Sequence, residues 1–449
     1  MSQLPAFLTH QNGELHLEGV ALSRLAREHG TPLFVYSRAA MLASLAAYQR
    51  GLAGRDHLIC YAMKANSSLA ILQTLVRAGC GLDIVSAGEL ERALAAGVQP
   101  DRIIFSGVGK TRAEMRRAIE VGIGCFNVES RAELDVLDEV ARSLGRRAPV
   151  SIRVNPNVDA KTHPYISTGL KGNKFGIAHE EVIATYRHAA GCAGLQVVGI
   201  DCHIGSQITQ AGPYLDAMDR VLDLVTAIEA AGVPIPHIDF GGGLGIDYNG
   251  DTPPAADDLW AQLLARLDAR GFGQRRIMIE PGRSLVGNAG VCLTEVLYLK
   301  PGEHKNFLIV DAAMNDLPRP AMYQAHHGIV PVLPRDGTTT TWDVVGPVCE
   351  SGDRFAEARE IQELGEGELV AFMSAGAYGA AMASEYNSRP LVPEVLVHGD
   401  KFAVIRRRPT YEEMLADEAP AAPAAGASRP LDVDAFNGLL DVCASTPPC

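Results

Sequence analysis

Four short strings carry residues whose types suit chemistry on a small ligand. They are YAMKANS with Lys64, CHIGSQ with His203 and Ser206, HIDFGGGLG with Gly242 and Gly243, and IEPGRS with Glu280, Gly282 and Arg283. A lysine at the end of an apolar strand is costly unless it is paired, hydrated or used. Partial desolvation can keep such an amine nucleophilic enough to form a Schiff base. Taken alone, Lys64 could equally reach solvent from a strand end.

The other three strings each allow a chemical and a structural interpretation. Glycines after a strand let backbone N–H groups approach a phosphate, but they also form tight turns. The spacing matches neither the dinucleotide fingerprint nor the Walker loop, which favours a lone phosphate. Glu280 could hold a pyridinium N–H or pair with Arg283 within its loop. His203 could stack on a planar ring, shuttle a proton or be a satisfied core histidine.

All four strings end β-type runs, and these runs recur along the chain. Between about residues 57 and 280, β runs alternate with Ala-, Leu-, Glu- and Arg-rich helical stretches. We count eight: HLICYAMK, GLDIVS, RIIFSG, GCFNVE, PVSIRVN, QVVGIDCHIG, PHIDFGGG and RIMIEPGR. Eight such units predict a (β/α)8 TIM-type barrel, with a doubly wound sheet as the alternative. Polar residues at the ends of at least five runs favour the barrel, because barrel enzymes build their sites there.

The remainder of the chain has a different pattern. Residues 290–410 contain Val-, Thr- and Ile-rich runs separated by turns, which predict an all-β domain, a β-sandwich or small β-barrel. The string GTPLFVYS at 30–37 predicts a strand that completes this domain. We therefore expect an N-terminal segment at 1–37, the barrel at 38–289, the β domain at 290–414 and a flexible Ala/Pro-rich tail at 415–449.

Composition and charge exclude several classes of protein. The 449 residues are 47% hydrophobic and 21% charged, which is typical of a globular protein and not of a disordered chain. A formal charge of −13 argues against a nucleic-acid partner. No run approaches the roughly 18–20 apolar residues of a membrane span, and the N-terminal string lacks a signal-peptide core. Nine scattered cysteines without zinc spacing predict a cytoplasmic protein with no metal site.

Together, the lysine, the ring partner, the glycine-rich phosphate cradle and the carboxylate are the parts of a pyridoxal-phosphate site. YAMKAN, HIGSQ, GGGLG and EPGR resemble the motifs of the fold-type III pyridoxal-phosphate decarboxylases. Three longer strings are similar to the diaminopimelate decarboxylase family within that group: HPYISTGLKGNKFGI, DAAMNDLPRPAMY and GPVCESGD. The resemblance runs from about residue 30 to 410 and leaves out the tail.

The resemblance implies an activity and a cofactor. The implied reaction is the pyridoxal 5'-phosphate-dependent decarboxylation of meso-2,6-diaminopimelate to L-lysine and CO2, the last step of lysine biosynthesis. Lys64 is implied to hold the cofactor as a Schiff base, His203 to stack on its ring and Glu280 to keep the ring nitrogen protonated. The phosphate is implied to bind Ser206, Gly242, Gly243, Gly282, Arg283 and Tyr378.

The resemblance also implies how the substrate binds. Arg283, Arg319 and Tyr323 are implied to hold the distal carboxylate, and Tyr378 also lies beside the substrate. Two further residues, in the string VCESGD, are implied to reach the active site of the other subunit of a homodimer. Of these, Glu350 binds the distal ammonium and Cys349 is a candidate proton donor.

Three other proteins with a pyridoxal-phosphate site share some of these features. An ornithine- or arginine-type decarboxylase would share Lys64, His203 and Glu280, but its substrates have no distal carboxylate for Arg319 and Tyr323 to bind. An alanine-racemase-like enzyme would place an arginine, and not Glu280, beside the ring nitrogen. A non-catalytic carrier of the small pyridoxal-binding barrel type normally lacks the second β domain.

Overall fold

A computed structural model describes residues 4–5, 7–158 and 174–418 of the chain. Most of the string HPYISTGLKGNKFGI lies outside the described residues, as does the Ala/Pro-rich tail from residue 419 onwards. Within the described residues, no helix is both long enough and apolar enough to cross a membrane.

The first described elements are a small antiparallel sheet and a helix, followed by a strand that joins the second domain and by a second helix. These elements are β1 Leu8–Gln11, β2 Glu14–Leu17, β3 Val20–Ala21, α1 Leu22–His29, β4 Leu33–Ser37 and α2 Arg38–Gly51. Helix α2 is capped by Ser37, whose hydroxyl accepts a hydrogen bond from the Ala40 N–H at 3.0 Å.

The next part is a closed barrel of eight parallel strands, so the predicted fold is confirmed. The strands are β5 His57–Ala62, β6 Gly81–Ile84, β7 Ile103–Phe105, β8 Cys125–Val128, β9 Ala148–Asn155, β11 Leu195–Asp201, β12 His237–Asp239 and β13 Arg276–Ile279, with β10 Ile177–Ala178 paired to β9. Strand β13 pairs with β5 and β8 with β9, which closes the circle. Each of the eight barrel strands overlaps one of the eight runs identified from the sequence.

Helices cover the outside of the barrel. They are α3 Leu69–Arg77, α4 Ala87–Ala95, α5 Arg112–Val121, α6 Arg131–Ser143, α7 Val182–Gly191, α8 Gly212–Ala230 and α9 Ala256–Ala269. Three of them begin with a serine or threonine cap three residues before a glutamate, and the cap hydroxyl accepts the glutamate N–H. These pairs are Ser86 with Glu89, Thr111 with Glu114 and Ser130 with Glu133. Each such cap stabilises its helix by about 1 kcal/mol.

The interior of the barrel changes from apolar to polar along the strands. One layer is a buried cluster of Leu58, Cys60, Ile104, Cys125 and Met278. Side chains alternate along a strand, so the residue two positions further on faces inwards again. Asn127 and Glu280 lie two positions beyond Cys125 and Met278 and are buried but polar. The other barrel strands carry further buried polar residues near their ends: Asp83, Arg153, Asp201 and Asp239. The polar layer therefore forms the floor beneath the carboxyl ends of the strands.

The second domain is built around a mixed sheet, in which most pairs of strands are antiparallel and a few are parallel. These elements are α10 Arg283–Val286, β14 Gly290–Lys300, β15 Phe307–Val310, α11 Arg319–Tyr323, β16 Ile329–Pro331, β17 Thr339–Val345, β18 Arg354–Gln362, β19 Leu369–Phe372, β20 Glu394–His398, β21 Lys401–Arg406 and α12 Tyr411–Leu415. Strand β14 pairs with β4 and β19 along its first half and with β15 along its second half, so two groups of strands share it. Strand β4 also runs parallel to β20. A separate β domain is thus confirmed.

Candidate active site

A cavity of about 210 Å³ lies where the carboxyl ends of the barrel strands face the second domain. It brings together most of the residues singled out from the sequence: Lys64, His203, Ser206, Gly243, Glu280, Gly282, Arg283, Arg319, Tyr323 and Tyr378. Leu244, Ala62 and Met382 complete its wall. Gly242 lies beside it and donates its N–H to His203.

Lys64 follows β5 in a single 3-10 turn, and its amine meets a buried acid. Its Nζ donates a hydrogen bond to Asp83 Oδ2 at 2.9 Å. Burial alone would lower the pKa of the Lys64 amine, but the charges of Asp83 and Glu280 outweigh it and raise the pKa. The structure therefore differs from the expectation that desolvation keeps this amine nucleophilic. Lys64 must release a proton before it can attack a carbonyl carbon.

Glu280 ends β13 and is held by two neutral donors. Its Oε1 accepts Asn127 Nδ2 at 3.0 Å and Ser106 Oγ at 3.4 Å. Burial raises the pKa of the Glu280 carboxyl well above its usual range, and Asp83 and Asp239 raise it further. A cation placed against this carboxyl would restore its charge. A protonated pyridine nitrogen is such a cation, so this end of the cavity fits the pyridoxal ring.

Sequence reasoning missed the acids around Glu280. Asp201 and Asp239 are direct neighbours in the register of β11 and β12, and an oxygen of each lies within 4.8 Å of one from Glu280. Arg153 Nε is 3.8 Å from Asp201 Oδ2, yet burial raises the pKa of Asp201 to about 7. The strings GLDIVS, GIDCH and HIDFG all carry an aspartate near the strand end. Period-two alternation could have placed these residues inside the barrel.

His203 presents a neutral imidazole to the cavity. Its Nδ1 accepts the N–H of Gly242 at 3.2 Å, so this nitrogen carries no proton and the proton of the neutral ring is on Nε2. Burial lowers the pKa of His203 well below its usual range, and the positive charges of Arg153 and Lys64 act in the same direction. A flat, uncharged ring in this position is suited to stack on an aromatic cofactor.

The glycine-rich loop is packed against two other strand ends. A Cβ on Gly242 would lie 2.2 Å from the carbonyl oxygen of Glu280. Gly243 has φ +103°, and a Cβ there would lie 2.4 Å from the carbonyl oxygen of Gly205. Only glycine allows these backbones to touch, which brings three loops to one edge of the cavity. Such a backbone cradle fits a phosphate group.

Arg283 does not form the intraloop ion pair with Glu280 that the sequence left open. Its NH1 donates to Tyr248 Oη at 2.7 Å and its NH2 donates to Ser206 Oγ at 3.0 Å. Its Nε is buried and has no hydrogen-bond partner within the part of the chain that the structure describes. A buried donor left unpaired by the protein fits an anionic ligand.

Arg319, at the start of α11, also points into the cavity. Its NH1 lies 2.9 Å from His327 Nε2, and its guanidinium carbon is 4.4 Å from the centre of the Tyr248 ring. Among the described residues, neither Arg319 nor Arg283 forms an ion pair with an acidic side chain. Sequence reasoning missed Tyr248 and His327, because neither lies in a string with a recognisable spacing.

Cys349 and Glu350 are not brought to this cavity within one chain. Both are exposed. The Cys349 N–H donates to Asn387 Oδ1 at 3.1 Å, and the Glu350 carboxylate forms a hydrogen bond with Tyr386. Their place in the implied homodimer therefore remains a prediction.

Comparison with known proteins gives the family. Residues 38–287 match the model of the "pyridoxal-dependent decarboxylase, pyridoxal binding domain" family. The diaminopimelate decarboxylase of Pseudomonas aeruginosa is 55% identical over 410 residues, which cover 91% of this chain and 98% of that protein. This chain belongs to the diaminopimelate decarboxylase family.

Solved structures of the diaminopimelate decarboxylase family share the fold. The enzyme from Helicobacter pylori complexed with L-lysine has a TM-score of 0.84 and 43% identity, covering 88% of this chain and 98% of that one. The enzyme from M. jannaschii in co-complex with L-lysine has a TM-score of 0.88 and 36% identity, covering 93% and 98%. The chain is accordingly a pyridoxal-phosphate-dependent carboxy-lyase, which confirms the predicted family, enzyme class and cofactor.

Proposed function

We propose that this protein decarboxylates meso-2,6-diaminopimelate to L-lysine and CO2. One observation carries the proposal. The same cavity is lined by Lys64 and the buried Glu280, which suit the cofactor, and by two arginines, Arg283 and Arg319. Neither arginine has an acidic partner among the described residues. A substrate with a second carboxylate supplies the missing negative charge, whereas ornithine and arginine do not.

In this proposal the cofactor is held by residues that follow four of the barrel strands and by Tyr378 of the second domain. Lys64 would hold it covalently, the neutral ring of His203 would stack on it, and Glu280 would keep its ring nitrogen protonated. The phosphate binds Ser206, Gly242, Gly243, Gly282, Arg283 and Tyr378. The close backbone contacts of the glycine loop support the phosphate site, to which Gly282 and Arg283 contribute their backbone amides, while the Arg283 side chain is left for the substrate.

Bound pyridoxal phosphate supplies an electron-accepting ring that stabilises the negative charge left when CO2 departs. The protein's part is to keep that ring polarised and the reacting groups aligned. Asn127 and Ser106 hold the Glu280 carboxylate in place by donating to one of its oxygens. Asp83 orients the Lys64 amine by accepting its hydrogen bond at 2.9 Å. Cys349 donates a proton to the substrate carbon.

The far end of the substrate is fixed by charge. Arg319, Tyr323 and Arg283 bind the distal carboxylate, and Tyr378 lies beside the substrate. Glu350 binds the distal ammonium. The arginines complement the distal carboxylate and Glu350 complements the distal ammonium. Together they would distinguish this substrate from amino acids that carry only one of these two distal groups.

We further propose a homodimer in which Cys349 and Glu350 enter the partner's cavity. Both are exposed, and neither is among the described residues that line the cavity of its own chain, which supports a role across an interface. The free state of the seven described cysteines supports a cytoplasmic location. The domain limits at 37/38 and 289/290 are supported by the end of β4 at Ser37 and the start of β14 at Gly290.

The test is CO2 release from meso-diaminopimelate, ornithine, arginine and D-alanine, each with and without added pyridoxal phosphate. Of the four compounds, we expect only meso-diaminopimelate to release CO2, and only when pyridoxal phosphate is present. Arg319→Ala should raise the KM for that substrate by about 10- to 100-fold, the worth of a hydrogen bond to a charged group. Turnover of ornithine or arginine at a comparable rate would refute the proposed substrate.

A further inference from the structure

Tyr248 lies between the two arginines of the cavity. It belongs to the segment that follows the glycine-rich loop, 244–250. Its hydroxyl accepts a hydrogen bond from Arg283 NH1 at 2.7 Å. The face of its ring lies 4.4 Å from the guanidinium carbon of Arg319. One tyrosine therefore orients both cations, one through its oxygen and the other through its ring.

His327 holds Arg319 from the other side. Its Nδ1 lies 2.7 Å from the carbonyl oxygen of Met373, which can only accept, so Nδ1 carries the proton. The Nε2 is then an acceptor, and it receives Arg319 NH1 at 2.9 Å. The imidazole is 1% exposed, and burial together with the charge of Arg319 lowers the pKa of His327 to about 3. The group that orients Arg319 is thus uncharged.

The groups that orient Arg283 are also uncharged. Two of its nitrogens donate hydrogen bonds to the hydroxyls of Tyr248 and Ser206. A carboxylate in any of these places would also orient an arginine, but it would cancel the positive charge that an incoming anion needs. Neutral acceptors fix the direction of a guanidinium and leave its charge available.

We propose that Tyr248 and His327 are positioning residues for the distal carboxylate of the substrate. They orient Arg283 and Arg319 as a pair of cations that no acidic side chain of the described residues neutralises. The inference rests on the proposed function, because it assigns a role to residues around the same carboxylate subsite. It predicts that the charge of the acceptor at position 327, and not merely its presence, decides affinity for that carboxylate.

The experiment compares His327→Gln with His327→Glu in the holoenzyme. Glutamine keeps a neutral acceptor near the place of Nε2, whereas glutamate provides a charged one. The probes are L-lysine, which retains the distal carboxylate, and cadaverine, which lacks it; both affinities are measured by calorimetry. His398→Glu, on the exposed end of β20, is the control for the introduced charge.

We expect His327→Glu to weaken L-lysine binding by about 10- to 100-fold, the worth of a charged hydrogen bond, and to leave cadaverine binding within about threefold. His327→Gln should stay within about threefold for both probes. Tyr248→Phe, which keeps the ring but loses the acceptor for Arg283, should weaken L-lysine binding selectively. Bound-cofactor absorbance and thermal melting check that each variant is folded and loaded.

Equal losses of L-lysine affinity in the two His327 variants, or wild-type affinity in His327→Glu, would overturn the inference. So would a parallel loss for cadaverine, because a merely structural role would affect both probes. If the wild-type holoenzyme binds L-lysine no better than cadaverine, the carboxylate subsite of the proposed function is itself wrong. The failure of the inference and the failure of the function are therefore distinguishable.

Discussion

The Lys64 amine is paired with a buried acid on the neighbouring strand, and this pair sets the resting charge of the cavity. Asp83 is 1% exposed and cannot exchange the amine for water. Its second oxygen has no partner within the described residues, so it can accept a hydrogen bond from a bound group. An adjacent carboxylate gives the amine a route for the proton that it must lose to become a nucleophile.

Replacing Lys64 by alanine should remove the visible absorbance of the bound cofactor and nearly all turnover, since Lys64 is the only lysine among the described residues of the cavity wall. The measurement is an absorbance spectrum of the loaded protein together with CO2 release. Lys401→Ala, on an exposed strand of the second domain, is the control. Retained absorbance in the Lys64 variant would contradict the assignment.

The buried acids predict a pH dependence of stability in the cofactor-free protein. Burial and the neighbouring Asp201 raise the pKa of Asp239, so the folded state binds a proton that the unfolded state releases. The free energy of unfolding should therefore fall as the pH rises. Buried histidines with lowered pKa act in the opposite direction, but only below about pH 6.5, where the unfolded chain binds protons.

In the wild-type protein the free energy of unfolding should fall between pH 6.5 and 8. Asp239→Asn should reduce this fall by up to about 2 kcal/mol over the interval. Denaturant unfolding at several pH values measures it. Asp336→Asn, at an exposed position, should keep the wild-type slope. An unchanged slope in the Asp239 variant would show that this carboxyl is ionised in the folded protein.

At the level of elements, the polar side chains of the site lie at the carboxyl ends of the barrel strands. In the short strand β8 the inward residue changes from Cys125 to Asn127 within two positions. The short strands β6 and β12 carry Asp83 and Asp239 near their carboxyl ends, at the rim of the barrel. The local pattern predicted the strands. It did not show that Asp201 and Asp239 become neighbours, because that depends on the register between β11 and β12.

The contact between the glycine loop and the end of β13 is predicted to be sensitive to a single methyl group. In Gly242→Ala, the Cβ would lie 2.2 Å from the backbone of Glu280, so the strand end must move. We expect a loss of about 1–3 kcal/mol in unfolding free energy and weaker cofactor binding. Gly191→Ala, in an open position at the end of α7, should be neutral or slightly stabilising. Equal melting temperatures and cofactor affinities for the two variants would contradict this prediction.

At the scale of the whole molecule, the site requires both domains. Arg319, Tyr323 and Tyr378 come from the second domain and face the barrel residues across the cavity. Strand β4 precedes the barrel in the chain but pairs with β14 and β20 of the second domain. The barrel is therefore connected to the second domain at both its N-terminal and its C-terminal end. In the proposed homodimer, a second chain adds Cys349 and Glu350.

Shared sites predict complementation between two inactive variants. Lys64→Ala and Cys349→Ala should each be nearly inactive alone, whereas co-expression should restore about a quarter of wild-type activity, because half of randomly formed dimers contain one intact site. CO2 release from the purified mixture is the measurement. No recovery in verified mixed dimers would place Cys349 in its own chain's site or outside catalysis.

The sequence by itself determined the alternation of strands and helices, the second β domain and the motifs that place Lys64, His203 and Glu280 at strand ends. These properties follow from short-range patterns, in which apolar spacing and turn residues act over a few positions. Only the tertiary structure decided that Asp83 raises the pKa of the Lys64 amine, that Arg283 avoids Glu280, and that Tyr248 and His327 hold the arginines. Those relations join residues far apart in the chain, and they depend on barrel closure, strand register and burial, which no local pattern encodes.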